Sequence, residues 1–140
     1  MIKLNSSELK KFAGLRNFDK FLKHEMIEAT KDAGQAVQNK TKQEIRKGSP
    51  RSGRTRRRGG RSSARGEYPK GDTGTLGRSI MARHVNNLHI TVGSHLKYAQ
   101  ILESDRLDRK HVTRAGQEME GFIRALARQA VENSARKSGR

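Results

Sequence analysis

Cysteine and tryptophan are absent, proline occurs only twice, and aromatic side chains make up 4% of the 140 residues. Without cysteine there are no disulfide staples, no thiolate zinc sites and no thiol nucleophile, so the fold must hold without cross-links. Hydrophobic residues reach only 31%, leaving four Phe, two Tyr and scattered Leu, Ile and Val to build a core. No apolar run near the start is long enough for a signal peptide, and nothing later approaches a membrane span, so the expected site of synthesis is the cytoplasm of the producing cell. Acid is scarce as well: 14 Asp and Glu stand against 31 Lys and Arg, a formal charge of +17. Such a balance leans toward disorder-prone composition and reads as a modest folded centre with basic extensions. A thin core has another remedy, because copies arranged in a ring share apolar surface that a lone subunit leaves wet.

What is present is concentrated in residues 66–103, GEYPKGDTGTLGRSIMARHVNNLHITVGSHLKYAQILE. Pro69, Gly71 and Gly74 punctuate its start, where Asp72 or Thr73 can cap a short helix carrying Leu76 and Ile80 on one side. Residues 80–85 then lead into Asn86 and Asn87, which tolerate positive φ. Beyond them Leu88, Ile90 and Val92 alternate with His89 and Thr91, which predicts a hairpin with one apolar face. Gly93 is expected to end the strand, and Tyr98, Ala99, Ile101 and Leu102 to form a short helix or turn lying back over that face.

Upstream, Ile2 and Leu4 suggest a short strand, and Ser6 or Ser7 caps a turn containing Leu9, Phe12 and Ala13 that Gly14 should stop. From Phe18 the apolar positions Phe21, Leu22, Met26, Ala29, Ala33, Ala36, Val37 and Ile45 recur at three and four, which predicts an amphipathic helix about 40 Å long. Its narrow, Ala-rich second half suits close packing against another helix or against its own sheet. Downstream, a polar connection after Glu103 carries Leu107 and Val112 into the core. Thr113 is the expected N-cap of a final helix with Met119, Phe122, Ile123, Leu126, Ala127, Ala130 and Val131 on one stripe. Fraying is expected after Glu132, leaving 133–140 as a basic tail. The chain therefore reads as a single α+β domain over 1–140: a long N-terminal amphipathic helix and a C-terminal helix packed on a small antiparallel sheet, with a long basic loop.

That loop, residues 48–65, is rich in Gly and Ser and carries Arg51, Arg54, Arg56, Arg57, Arg58, Arg61 and Arg65 with no acid between them. It reads as flexible, since such a segment cannot fold alone. Its arginines can gather phosphates by charge, but aromatics for base stacking are missing, so no base readout is implied. An acidic protein neighbour would suit the same charge.

Other chemistry finds little support. The five histidines, His24, His84, His89, His95 and His111, share no metal-ligand spacing, and His24 with Glu28 forms an ordinary i, i+4 surface pair. GDTGTLG lacks the lysine and the spacing of a phosphate loop and reads as a turn. No carboxylate pair or nucleophile stands out, so neither an enzyme nor a cofactor is expected.

The order of signals resembles a known family. A long amphipathic helix, the loop SGRxxRRxGGRxxxARGEYP, then DTGTLGRSI, a strand ending VGS, YAQILE and a final helix are similar to the small tail-completion or head-tail joining proteins of long-tailed bacteriophages, often labelled minor tail components. The resemblance covers residues 18–131 and is carried most specifically by Gly66, Glu67, Tyr68 and Pro69, by Asp72, Thr73, Gly74, Thr75 and Leu76 with Ser79 and Ile80, and by Val92 and Gly93 followed by Tyr98, Ala99, Leu102 and Glu103. It implies a non-enzymatic α+β subunit of the virion neck that assembles as a homo-oligomeric ring, in relatives often a hexamer, at the top of the tail. Its implied partners are connector or head-completion proteins on one side, tail-terminator or tail-tube proteins on the other, and packaged DNA passing through. Where family members often continue with Gly-Thr and a Pro-Arg-Pro-Phe type run, this chain has Ser104-Asp105-Arg106-Leu107 and Arg109-Lys110-His111-Val112. The hairpin and the Ala-rich helix are the expected subunit contacts. The alternative reading is a small basic protein that binds nucleic acid without sequence preference.

Overall fold

The computed structural model describes residues 6–47, 52–55, 57, 60–69 and 74–139, with residues 6–14 as backbone only. The expected strand at Ile2 and Leu4 lies outside them. The fold is α+β: α1 (Ser6–Lys47), α2 (Thr75–Ser79), β1 (Ile80–Asn86), β2 (His89–Ser94), α3 (Lys97–Glu103), α4 (Val112–Glu118) and α5 (Glu120–Lys137).

α1 is one helix of 42 residues, about 63 Å long, and it runs straight through Gly14. A single internal glycine costs only about 1 kcal/mol against alanine, which the turns on both sides outweigh. Arg46 and Lys47 in its last turn suit the negative end of the helix dipole. The Ala-rich half packs on both expected neighbours at once, the hairpin and α5. At Gly34 the hairpin approaches closely, since a Cβ there would overlap the side chain of Ile90.

The two strands pair antiparallel, with Ile80 opposite Ser94, Ala82 opposite Val92 and His84 opposite Ile90. Three details depart from the pattern in the sequence. The turn falls on Asn87 and Leu88, one residue late, because the Asn86 side chain accepts from the Leu88 N–H at 3.0 Å and the register shifts between His84 and Asn86. Gly93 sits inside β2 opposite Met81, and the strand ends after Ser94. Ile80, expected both on the short helix and at the head of the strand run, opens β1 and lies just past the end of α2. The Ala82 N–H is met at 3.1 Å by the Gln38 carboxamide, so α1 satisfies part of the sheet edge.

The core is small, as the composition requires. Ile45, Leu76, Ile80 and Ala99 are buried together, with Val92, Leu96, Leu102 and Val112 packed around them. Ser79 closes the polar end of this cluster by donating to the Leu76 carbonyl and sharing a 2.6 Å hydrogen bond with Ser94.

α4 and α5 are separated only by Met119, whose N–H still reaches the Ala115 carbonyl at 3.0 Å. Together they run back along α1. Lys40 bonds Glu118 at one end, and Asn133 and Lys137 converge on Glu25 at the other. Those last two bonds overturn the expected fraying after Glu132: residues 133–137 stay helical because Glu25, far away in the chain, holds them. The expected stripe on α5 is also split. Ala130 is buried, whereas Phe122 and Val131 are 47% and 46% exposed.

Candidate functional site

The basic loop has a built base. Gly53 donates to the Ser62 carbonyl and Ser62 to the Arg54 carbonyl, both at 3.0 Å, and Thr55 pairs with Arg61 in an antiparallel bridge. The described part of the loop is therefore a narrow two-stranded ribbon. Its foot is closed by Glu67, whose carboxylate accepts from the Ser52 hydroxyl at 2.6 Å and from the Ala64 N–H at 2.7 Å. The Ser52 hydroxyl and the Ala64 N–H hold that carboxyl below its ordinary range. This is what the loop composition hid. The acid that organises the arginines lies just past them, in the GEYP motif.

Each residue of GEYP has a task. Gly66 takes φ +75°, a left-handed conformation that glycine adopts at no steric cost, and its N–H meets the Asp108 carbonyl at 2.7 Å. The Arg114 side chain donates to the Gly66 carbonyl. Tyr68 is buried, with the Arg114 guanidinium 5.3 Å from its ring centroid, a cation–π distance. Burial, reinforced by the charge of Glu118, pushes the phenol well above its ordinary value. Pro69 is buried beside it.

A second carboxylate secures the segment that GEYP leans on. Glu103, the last residue of α3, accepts from the His111 N–H at 2.8 Å, the Val112 N–H at 2.6 Å and the Thr113 hydroxyl at 2.8 Å. It acts as the cap of α4 from another helix. Thr113 is therefore not the N-cap; that position is His111, which has no side-chain cap bond of its own, because Glu103 already occupies the orphan N–H groups. Burial raises the Glu103 pKa, but the two N–H groups, the Thr113 hydroxyl and His111 together outweigh it and leave it lowered. Burial keeps His111 below its ordinary value, against the pull of Glu103 and the Arg109 carbonyl. Residues 104–108 make a tight turn in which Asp108 has φ +46°, with its N–H on the Ser104 carbonyl at 2.8 Å.

The expected site residues separate into distinct places. Arg54, Arg57 and Arg61 are exposed on the ribbon and make no ion pair among the described residues. Arg65 is drawn back, donating to the Asp105 carbonyl at 3.1 Å. Arg51, Arg56, Arg58, Asp72 and Thr73 lie outside the described residues. Gly74 is the N-cap of α2 with φ +70° and, as glycine, brings no side-chain cap of its own. Leu76 and Ile80 are core, Leu102 packs against it, and Tyr98 turns outward at 44% exposure. In the sequence Glu67 and Glu103 stand out only as motif positions and Arg114 not at all. A lone Glu directly after an acid-free arginine run was the available signal for the first of them.

No group of His, Asp and Glu among the described residues could hold a metal ion. Among them, too, no helix is long and apolar enough to cross a membrane. Comparison with protein-family models, with curated proteins and with solved structures yields no match.

Proposed function

We propose that this chain is a structural protein of the phage neck, a tail-completion or head-tail joining subunit that works as a ring around passing DNA and is not an enzyme. The observation that carries the reading is the division of labour around Glu67: the GEYP motif is spent on anchoring, and Arg54, Arg57 and Arg61 are left exposed and unneutralised on the ribbon. Such a ribbon contributes nothing to the core. It suits a surface that meets phosphates or an acidic neighbour by charge. The ring is supported by the small buried cluster and by large apolar side chains left open at Val85, Leu88 and Phe122. In this reading the hairpin and the Ala-rich half of α1 face other copies, and the ring meets head-completion proteins on one face and tail-terminator or tail-tube proteins on the other.

The test is replacement of Arg54, Arg57 and Arg61 together by serine. The melting temperature should stay where it is, since no buried position changes, while phage yield falls and heads and tails accumulate unjoined in particle images. Normal yield from the triple variant removes the ribbon from the function. The exposed arginines also support a second reading, a basic nucleic-acid-binding protein. Tight duplex binding by the monomer, with a salt slope of about 0.9 per phosphate over roughly five phosphates, would favour that one.

A further inference from the structure

α1 changes character along its length. From Leu15 to Met26 its apolar side chains are bulky, including Phe18, Phe21 and Leu22, and from there to Gly34 they are mostly small, including Ala29 and Ala33. Leu15, Phe18, Leu22, Met26, Ala29 and Ala33 follow at steps of three or four, so bulky and small residues share one stripe. Over its small-residue half this stripe is the floor of an open, largely apolar groove of about 340 Å³, walled by Leu88 and Ile90 of the hairpin and by Ile123 and Ala127 of α5. In the bulky half Phe18, Phe21 and Leu22 are half-buried and Leu15 is open. α5 ends where Lys137 reaches Glu25, and before Glu25 no hydrogen bond or ion pair ties α1 to another element among the described residues. Residues 15–24, with the helical backbone of 6–14 before them, extend past that contact as an arm of about 28 Å. Leu15 on it is 47% exposed, and Leu88 on the groove wall is 57% exposed.

We infer that this arm seats in the groove of a second copy of the chain. The inference rests on the self-assembly part of the reading above and not on a role in the phage neck. The arm cannot reach its own groove, because arm and floor are parts of the same straight helix. Shape favours another copy: a floor carrying Ala29 and Ala33 lets a helix approach closely, and bulky side chains fill the depressions that small ones leave. Length fits as well. The floor from Met26 to Val37 extends about 16 Å, and the segment from Leu15 to Leu22 about 10 Å. Each copy gives one arm and receives another, so each contact sets the arm of one copy against the twelve groove residues of the next, and the two contacts together commit about thirty residues of every copy. Giving and receiving through different surfaces is the head-to-tail arrangement that closes into rings.

The chain has no cysteine, so introduced thiols are the only ones present. Full-length Leu15→Cys is mixed with full-length Ala127→Cys and treated with a short bis-maleimide; a covalent dimer is expected. Leu15→Cys mixed with Arg128→Cys, on the exposed side of α5, should give little. In sedimentation, Leu15→Asp should weaken self-association about tenfold or more while Leu15→Met leaves it unchanged, with the melting temperature of both held because the site is exposed. Assembly that is unaffected by Leu15→Asp and gives no arm-to-groove link overturns this inference while leaving the ring in place. A chain that stays monomeric at every concentration overturns both.

Discussion

Two regions hold this protein by opposite means. Around Ile45 and Ile80 the chain is joined by burial: few atoms, no charge, contacts without direction. Around Glu67 and Glu103 it is joined by two carboxylates that together accept from backbone N–H groups and hydroxyls on three segments, at Ser52, at Ala64 and at residues 111–113. The first region would tolerate any greasy side chain of similar volume; the second requires a particular acceptor at a particular point. A chain short of hydrophobic residues has stretched its supply by fastening its irregular parts with acids, of which it also has few, and each acid is used several times over.

Breaking the apolar side should give the largest effect. Ile80 is fully buried, and Ile80→Ala should cost about 2–5 kcal/mol in denaturant unfolding, a large share of the stability of a domain this size. The next effect is a response of the polar side to acid. His111 has a folded pKa below its ordinary 6.5, so the unfolded chain takes the proton more readily, and stability is lost as pH falls below that value. Glu103 has a folded pKa below its ordinary 4.5, so its contribution is complete above that value and lost as pH falls through the lowered one. Melting temperature followed from pH 8 downward should therefore decline in two stages. His111→Asn should flatten the first and Glu103→Gln the second; an unchanged profile in both variants would show that the polar junction is not coupled to folding. The smallest effect on global stability belongs to Glu67→Gln. Cooperative melting should barely move, while amide exchange at Ala64 and proteolysis within the ribbon speed up, because only the ribbon's foot is released.

The same contrast explains what could be read from the sequence. The class, the long helix, the hairpin and the short helix after it follow from periodicity, which reports burial on one face, and Leu76, Ile80, Ala99 and Val92 are where that periodicity put them. What escaped was joined by polar bonds between distant positions. The helix through residues 133–137 depends on Glu25, and the start of α4 depends on Glu103, so neither boundary is written in its own neighbourhood. The ribbon hid for the same reason: an arginine run with glycines reads as loose chain until Glu67 is seen to gather Ser52 and Ala64. Exposed Tyr98 and Phe122 went the other way, apolar by type and outward in the fold, because helices this short or this peripheral have too little neighbouring surface to cover them.

Gly34 sets the gap between the long helix and the hairpin, and Ile90 fills the space its missing side chain leaves. Alanine at 34 would force the Ile90 side chain aside, and because Ile90 also walls the groove, a change of one methyl, far from any charge, would reshape that trough.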